Sequence, residues 1–317
     1  MDRSRLLVIA LAAIGLALAP LVLNIYQVSV FNDIGLYALL ALSLNLILGE
    51  AGLFNMGHAA FYAVGAYVAA ILNTRYQIPI LWILPLSGLA AGLFALVVAR
   101  PVIHLRGDYL LIVTIGVGEI VRIALVNDVF GLTGGANGIF GISRPKLFGF
   151  VIRRPQEFFY LIWGCVALSI FLFLRLKQSR FGRALNYLRE DEVAAEGSGI
   201  NTAGYKLAAF GLGAAWAGMC GTLLATKTTF ISPESFNFQE SVMLFMIVIL
   251  GGAGSIAGVL LAAFLVIGLL ELFREFASAR MLIFGLVMVV MMVFRPQGLL
   301  PAGGRWFSLP TLNGRKG

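Results

Sequence analysis

The sequence predicts an all-α polytopic membrane protein of about ten transmembrane helices, and three observations carry that expectation. Of its 317 residues, 60% are hydrophobic and only 12% charged, whereas a soluble domain is about 45–50% apolar and about 25% charged. The apolar residues also come in long continuous runs, and the mean hydropathy is +0.94. About 20 apolar residues in a helix cross a bilayer core while satisfying their own backbone polar groups, whereas an outer-membrane barrel needs short alternating segments. Finally, the basic residues sort by side. Threaded with both termini inside, the chain places 14 of its 23 Lys and Arg in the cytoplasm and 8 outside, with Arg122 within a span. Four of those outside lie in the long loop 127–156, where charge orients topology least. The same bias explains the net charge of +8 without a nucleic-acid partner.

Ten apolar windows follow in order: 6–23, 31–48, 53–72, 81–99, 109–126, 157–176, 205–226, 240–252, 255–273 and 281–294. The first begins after Arg3 and Arg5. Ala17-Leu18-Ala19 offers a possible leader cleavage site, but the run is long and Pro20 would follow the cut, so a retained first span is expected. The eighth window is short for a full crossing. The whole chain reads as one transmembrane domain, with an external loop at 127–156, a cytoplasmic loop at 176–205 and a cytoplasmic tail at 295–317.

Two junctions share a hexapeptide. Ile47-Leu48-Gly49-Glu50-Ala51-Gly52 and Ile249-Leu250-Gly251-Gly252-Ala253-Gly254 differ at one position. Glycine clusters at membrane depth mark either tight turns or interrupted helices whose freed backbone groups line a cavity. Asn45, Asn55 and His58 surround the first break and read either as satisfied core residues or as hydrogen-bonding groups on a solute path. Gly88-x-x-x-Gly92, Gly254-x-x-x-Gly258 and the Ala214, Ala217, Gly218, Gly221 face are written for close helix packing.

Chemistry-bearing motifs are sparse. There is no Ser-His-Asp grouping, HExxH, CxxC pair or phosphate-binding GxxxxGK[ST] loop, and Cys165 and Cys220 lie apart in apolar runs. No catalytic residue, metal or bound cofactor is expected, and any energy source for driven work lies in another polypeptide. Within the fifth span, Glu119 and Arg122 are three residues apart and so share a face. They read as a structural ion pair or as a polar lining of a path. Thr133 to Gly138 form a glycine-rich external loop in which Gly134, Gly135 and Asn137 make either a gate or a tight turn.

Residues 176–205 are a charged island in this oily chain. Composition alone reads them as a solvated loop holding a short helix, a glycine turn and a second helix start. However, Glu192-Val-Ala-Ala-Glu-Gly-Ser-Gly-Ile200 resembles the EAA-type loop by which ABC importer permeases dock into their ATPases. Asn55-Met-Gly-His-Ala-Ala-Phe61, Leu105-Arg-Gly-Asp-Tyr109, Leu132-Thr-Gly-Gly-Ala-Asn-Gly-Ile139, Tyr205-Lys-Leu-Ala-Ala-Phe210, Phe230-Ile-Ser-Pro-Glu-Ser-Phe236, Leu250-Gly-Gly-Ala-Gly-Ser255 and Phe294-Arg-Pro-Gln-Gly-Leu-Leu-Pro301 stand around it. Together these motifs resemble the M-type permease subunit of high-affinity branched-chain amino acid importers, over about 45–301. A sister group carries urea or short amides.

The resemblance implies a multi-pass permease of the bacterial inner membrane, with both termini cytoplasmic. It implies an H-type permease partner, two ATPase subunits that use ATP and Mg, and a periplasmic binding protein. It places Arg183, Glu192, Ala194, Ala195, Gly199 and Ile200 at the ATPase contact. The competing expectation is an ion-coupled secondary transporter using Glu119 and Glu271.

Overall fold

The computed structural model describes residues 19–20, 22–105, 107–129, 131–147, 150–272, 285–286, 289–290, 293–295 and 297–300. Most of the expected spans at 6–23 and 281–294 and most of the tail at 295–317 lie outside these described residues.

The described chain is mostly helical. Helix α1 (Ile25–Asn45) runs on into a π-turn at Leu46–Glu50. It is followed by α2 (His58–Tyr76), α3 (Ile80–Val102) and α4 (Asp108–Val126). A largely irregular segment, 127–154, then leads to α5 (Pro155–Gln178). Two short helices, α6 (Arg180–Glu190) and α7 (Glu192–Gly197), precede the long α8 (Thr202–Thr228), and α9 (Phe238–Gly251) and α10 (Ile256–Leu272) complete the described bundle.

By length and composition, five helices among the described residues can cross a membrane: Ile25–Glu50, Ile80–Val102, Asp108–Val126, Pro155–Gln178 and Thr202–Thr228. The 14-residue α9 rises only about 21 Å at ~1.5 Å per residue, short of a hydrocarbon core of about 30 Å. The expected third span at 53–72 is displaced. Its helix begins at His58, because Gly52 takes φ +70° and the Asn55 side chain accepts the Gly57 N–H at 2.9 Å, turning the chain before it can wind.

Helix α8 lies at the centre, against α2 and α3. Lipid tails are as apolar as leucine, so these helices associate through close packing and hydrogen bonds. Small residues supply the closeness. A Cβ on Gly65 of α2 would fall on the backbone of Gly218, and one on Gly221 would meet the backbones of Tyr62 and Ala66. Gly92 of α3 faces Ala215 and Gly211. Hydrogen bonds join the layers, Ser87 Oγ to Thr222 Oγ1 at 2.6 Å and Trp216 Nε1 to Ser169 Oγ at 2.8 Å, and Lys227 pairs with Asp33. Helix α1 is largely enclosed, whereas α4 is almost uncovered by its own chain.

The segment 127–154 is tied down by two strand pairs, β1 (Ile139–Phe140) with β4 (Phe230–Ile231) and β2 (Lys146–Leu147) with β3 (Phe150–Val151), both antiparallel. The rings of Phe140 and Phe230 stack at 4.2 Å across the first pair.

Candidate functional site

The charged island folds as an elbow whose every joint has a local cause. Ser179 caps α6, its Oγ accepting from Gly182 N at 3.3 Å. Asp191 caps α7 by accepting from the backbones of Val193 at 2.9 Å and Ala194 at 3.1 Å. Asn201 then caps α8 through Gly204 N at 3.0 Å. Such side-chain oxygens satisfy N–H groups left free at helix starts. Helix α6 is amphipathic and buries Gly182, Ala184, Leu185 and Leu188. The opposite side of the elbow stays bare, with Tyr187 60% and Val193 66% exposed.

The six residues expected at the ATPase contact do not share one environment. Arg183 and Ala194 are exposed, and the Arg183 guanidinium also donates to the Gln178 carbonyl at 2.9 Å. Glu192 turns back onto α8, where its carboxylate meets the buried Lys206 ammonium at 2.6 Å. Ala195 is buried. Gly199 is exposed at φ +81°, with no atom within 4 Å of a Cβ position. Ile200 is half-buried and its N–H closes α7 on the Ala195 carbonyl at 3.1 Å. Arg183, Tyr187, Val193 and Ala194 therefore form the outward side, while Glu192 and Ala195 fix the elbow to the bundle.

The two glycine hexapeptides, about 200 residues apart in sequence, meet in space. Asn45 Oδ1 accepts from Gly254 N at 2.8 Å, and a Cβ on Gly49 would collide with the Gly254 backbone. The elbow reaches both. Lys177 Nζ lies 2.6 Å from Glu50 Oε1 and 2.5 Å from the Gly254 carbonyl, and Arg189 donates to the Gly49 carbonyl. Leu299 N and Leu300 N bond the carbonyls of Leu250 and Gly251 at 2.8 and 3.2 Å, so Gly298-Leu299-Leu300 docks on the second break. Sequence reasoning passed over Glu50, Lys177 and Arg189. The available signal was Glu50 itself, the acid at the position where the hexapeptides differ.

Asn45 looks toward the second break, while Asn55 and His58 form a separate buried group. Ser43 Oγ donates to the Leu40 carbonyl at 2.6 Å and lies 2.7 Å from His58 Nε2. Asn55 Nδ2 lies 3.3 Å from His58 Nδ1. One tautomer satisfies all of them: Nε2 carries the hydrogen and donates to Ser43, and Nδ1 accepts from Asn55. These residues complete the break internally.

Arg122 bonds Glu119 at 2.9 Å and Glu234, on the turn before α9, at 3.3 Å. The side chains of Arg122 and Glu119 are 27% and 36% exposed on a helix scarcely covered by its own chain. Charge at membrane depth is costly against lipid and belongs on a bundle interior or a wet path.

The glycine-rich loop at Thr133 to Gly138 is a built turn. Gly134 and Gly135 take φ +73° and +60°, and Asn137 ends a single 3-10 turn. Arg75 donates to the Gly131 carbonyl at 2.7 Å. Asp128 accepts from Thr133 N at 2.7 Å and Thr133 Oγ1 at 2.9 Å. The Thr133 backbone bond, then its hydroxyl, hold the Asp128 carboxyl below the usual carboxylate range. A lowered carboxylate pKa means that this order is present above the ordinary range and is lost as pH falls through the lowered value. Hydrogen exchange at the Thr133 amide should be protected at pH 7 and unprotected in strong acid. Asp128→Ala should expose it at both pH values.

Residues 26–294 match the family described as "Branched-chain amino acid transport system / permease component". The chain is 42% identical to the high-affinity branched-chain amino acid transport system permease protein LivM of Salmonella typhimurium, over 94% of this chain and 75% of the relative. It is 41% identical to LivM of Escherichia coli K12, over the same shares. Identity to the LivH permease of Escherichia coli K12 is 28%, over 85% of this chain and 94% of the relative. No solved structure matches.

Proposed function

The chain belongs to the family of branched-chain amino acid transport permeases, and from that premise we propose that it is one membrane half of an ABC importer for these amino acids. In this reading it pairs with a related second permease in a bacterial inner membrane, with both termini cytoplasmic. Two separate ATPase subunits, which bind ATP and Mg, drive it through the elbow, and a periplasmic binding protein supplies the substrate.

The elbow carries the reading. Its apolar side is sealed onto the bundle, yet it leaves Tyr187 and Val193 bare at the cytoplasmic end, a surface suited to a partner and wasteful without one. Helix α4 supports the second permease: its Glu119–Arg122 pair is half-covered, and a partner helix would shield it from lipid and enclose a polar path. Asn45, Asn55 and His58 hold the first break in shape, and Gly134, Gly135 and Asn137 form the turn beneath the binding protein.

The test is reconstitution of the full complex in proteoliposomes. Leucine uptake should stop when the ATPases are omitted and persist in an uncoupler. Uptake without ATPase that collapses in an uncoupler would overturn the reading. It would turn attention to Glu119 and to Glu271, which accepts a hydrogen bond from the Tyr26 hydroxyl.

A further inference from the structure

We infer that Lys177 and Arg189 are positioning residues that lock the elbow to both glycine breaks at once, so that a push on the elbow moves the two breaks as one body. The inference rests on the reading of the elbow as the ATPase contact and adds the route by which force leaves it.

Glycine breaks release carbonyls from their helices, and a carbonyl freed at membrane depth needs a donor. Gly49 and Gly254 supply one such carbonyl each. Both are met by cations of the island, Gly49 by Arg189 and Gly254 by Lys177. These cations flank α6, with Lys177 in the last turn of α5 and Arg189 in the last turn of α6. Lys177 makes a second bond, to the Glu50 carboxylate, which is 6% exposed and whose Oε2 has no hydrogen-bond partner among the described residues. A buried carboxylate with one cation holds that cation in place, because losing the pair leaves a charge in low dielectric.

The breaks are also joined to each other. Asn45 bonds Gly254 N, and Gly49 leaves no room between its own Cα and that nitrogen. Gly52 packs against the Arg189 stem, where a Cβ would stand 3.1 Å from Cγ. The breaks, the end of α5 and the end of α6 thus share one polar knot beside a void of about 10 Å³ lined by Asn45, Glu50 and Lys177. No part of that knot can shift alone without breaking a charged bond. The bare surface of Tyr187 and Val193 lies outside it, so ATPase binding and transmission of its motion are carried by different residues.

The test uses the reconstituted complex. Lys177→Met should leave ATPase co-purification and basal ATP hydrolysis in place and lower leucine carried per ATP at least tenfold. Lys177→Arg should restore most coupling, since it keeps a donor for both partners. In the parental complex, spin labels at Asn186 and Ala253 should move together and keep one separation in every nucleotide state, and in Lys177→Met that separation should vary with nucleotide state. Arg189→Met carries the same prediction for the first break if Lys177→Met does not fold. Parental coupling with a fixed label separation in Lys177→Met, or in Arg189→Met where that variant stands in, would overturn the inference, as would a separation that varies with nucleotide state in the parental complex. So would a Lys177→Arg variant as uncoupled as Lys177→Met. A parental complex whose elbow retains no ATPase would instead sink the underlying reading.

Discussion

Gly218→Leu should leave almost no folded protein in the membrane. A Cβ at this position would stand 2.5 Å from Ala91 Cβ and 2.7 Å from the Ser87 carbonyl oxygen, and the Gly218 backbone already fills the space where Gly65 would carry a side chain. The obstructing atoms are mostly backbone, so no rotamer change relieves the clash. Overpacking a relaxable core costs about 1–3 kcal/mol, and this site has less freedom than that. We expect the yield of monodisperse protein after detergent extraction to fall by roughly tenfold or more, the loss that about 1.4 kcal/mol produces. Gly164→Leu is the control, because no atom of the described residues lies within 4 Å of its Cβ position. A well-folded Gly218→Leu would mean that α2, α3 and α8 do not pack as described.

The double variant Tyr187→Asp, Val193→Asp should behave in the opposite manner, folding normally while losing its engine. Both side chains are mostly exposed, and surface substitutions usually stay within about 0.5 kcal/mol of the parental stability. Apolar anchors at the centre of an interface carry far more, about 2 kcal/mol or above each. Co-purification of the ATPases and ATP-driven leucine uptake should therefore both fall by more than tenfold, with extraction and thermal stability unchanged. Reversal of Glu192 would be a poorer probe of docking. Its carboxylate pairs with Lys206, so the variant would disturb the attachment of α7 to α8.

Much of this was legible from local chemistry. Long apolar runs gave α3, α4, α5 and α8 within a few residues and α1 with its start six residues late, because a bilayer imposes length and apolarity on each span separately. The Glu119–Arg122 contact followed from helical spacing, and the packing of Gly88, Gly92, Gly218 and Gly221 from small-residue patterning. What the sequence hid is non-local. The repeated hexapeptide announced two breaks but not that Asn45 joins one to the other. The charges of the island were visible, yet nothing in their spacing distinguished Lys177 and Arg189, whose head groups reach the glycine breaks, from Arg183, whose guanidinium bonds only within the elbow. Asn45, Asn55 and His58 looked like one polar cluster by proximity in sequence. The irregular stretch after Gly52 sends His58 to Ser43, with Asn55 on its other ring nitrogen, and leaves Asn45 to the second break.

On the proposed function, a separate ATPase should grip this permease by the outer side of its elbow. A photo-crosslinking residue at Val193, in the complete complex in native-like membranes, tests it most directly. A crosslink to the ATPase that changes in yield between nucleotide-free and ATP-bound states is the result this account predicts, with a probe at Tyr160 giving none. A Val193 probe that captures only lipid or water, in a complex that still imports leucine with ATP, would contradict it.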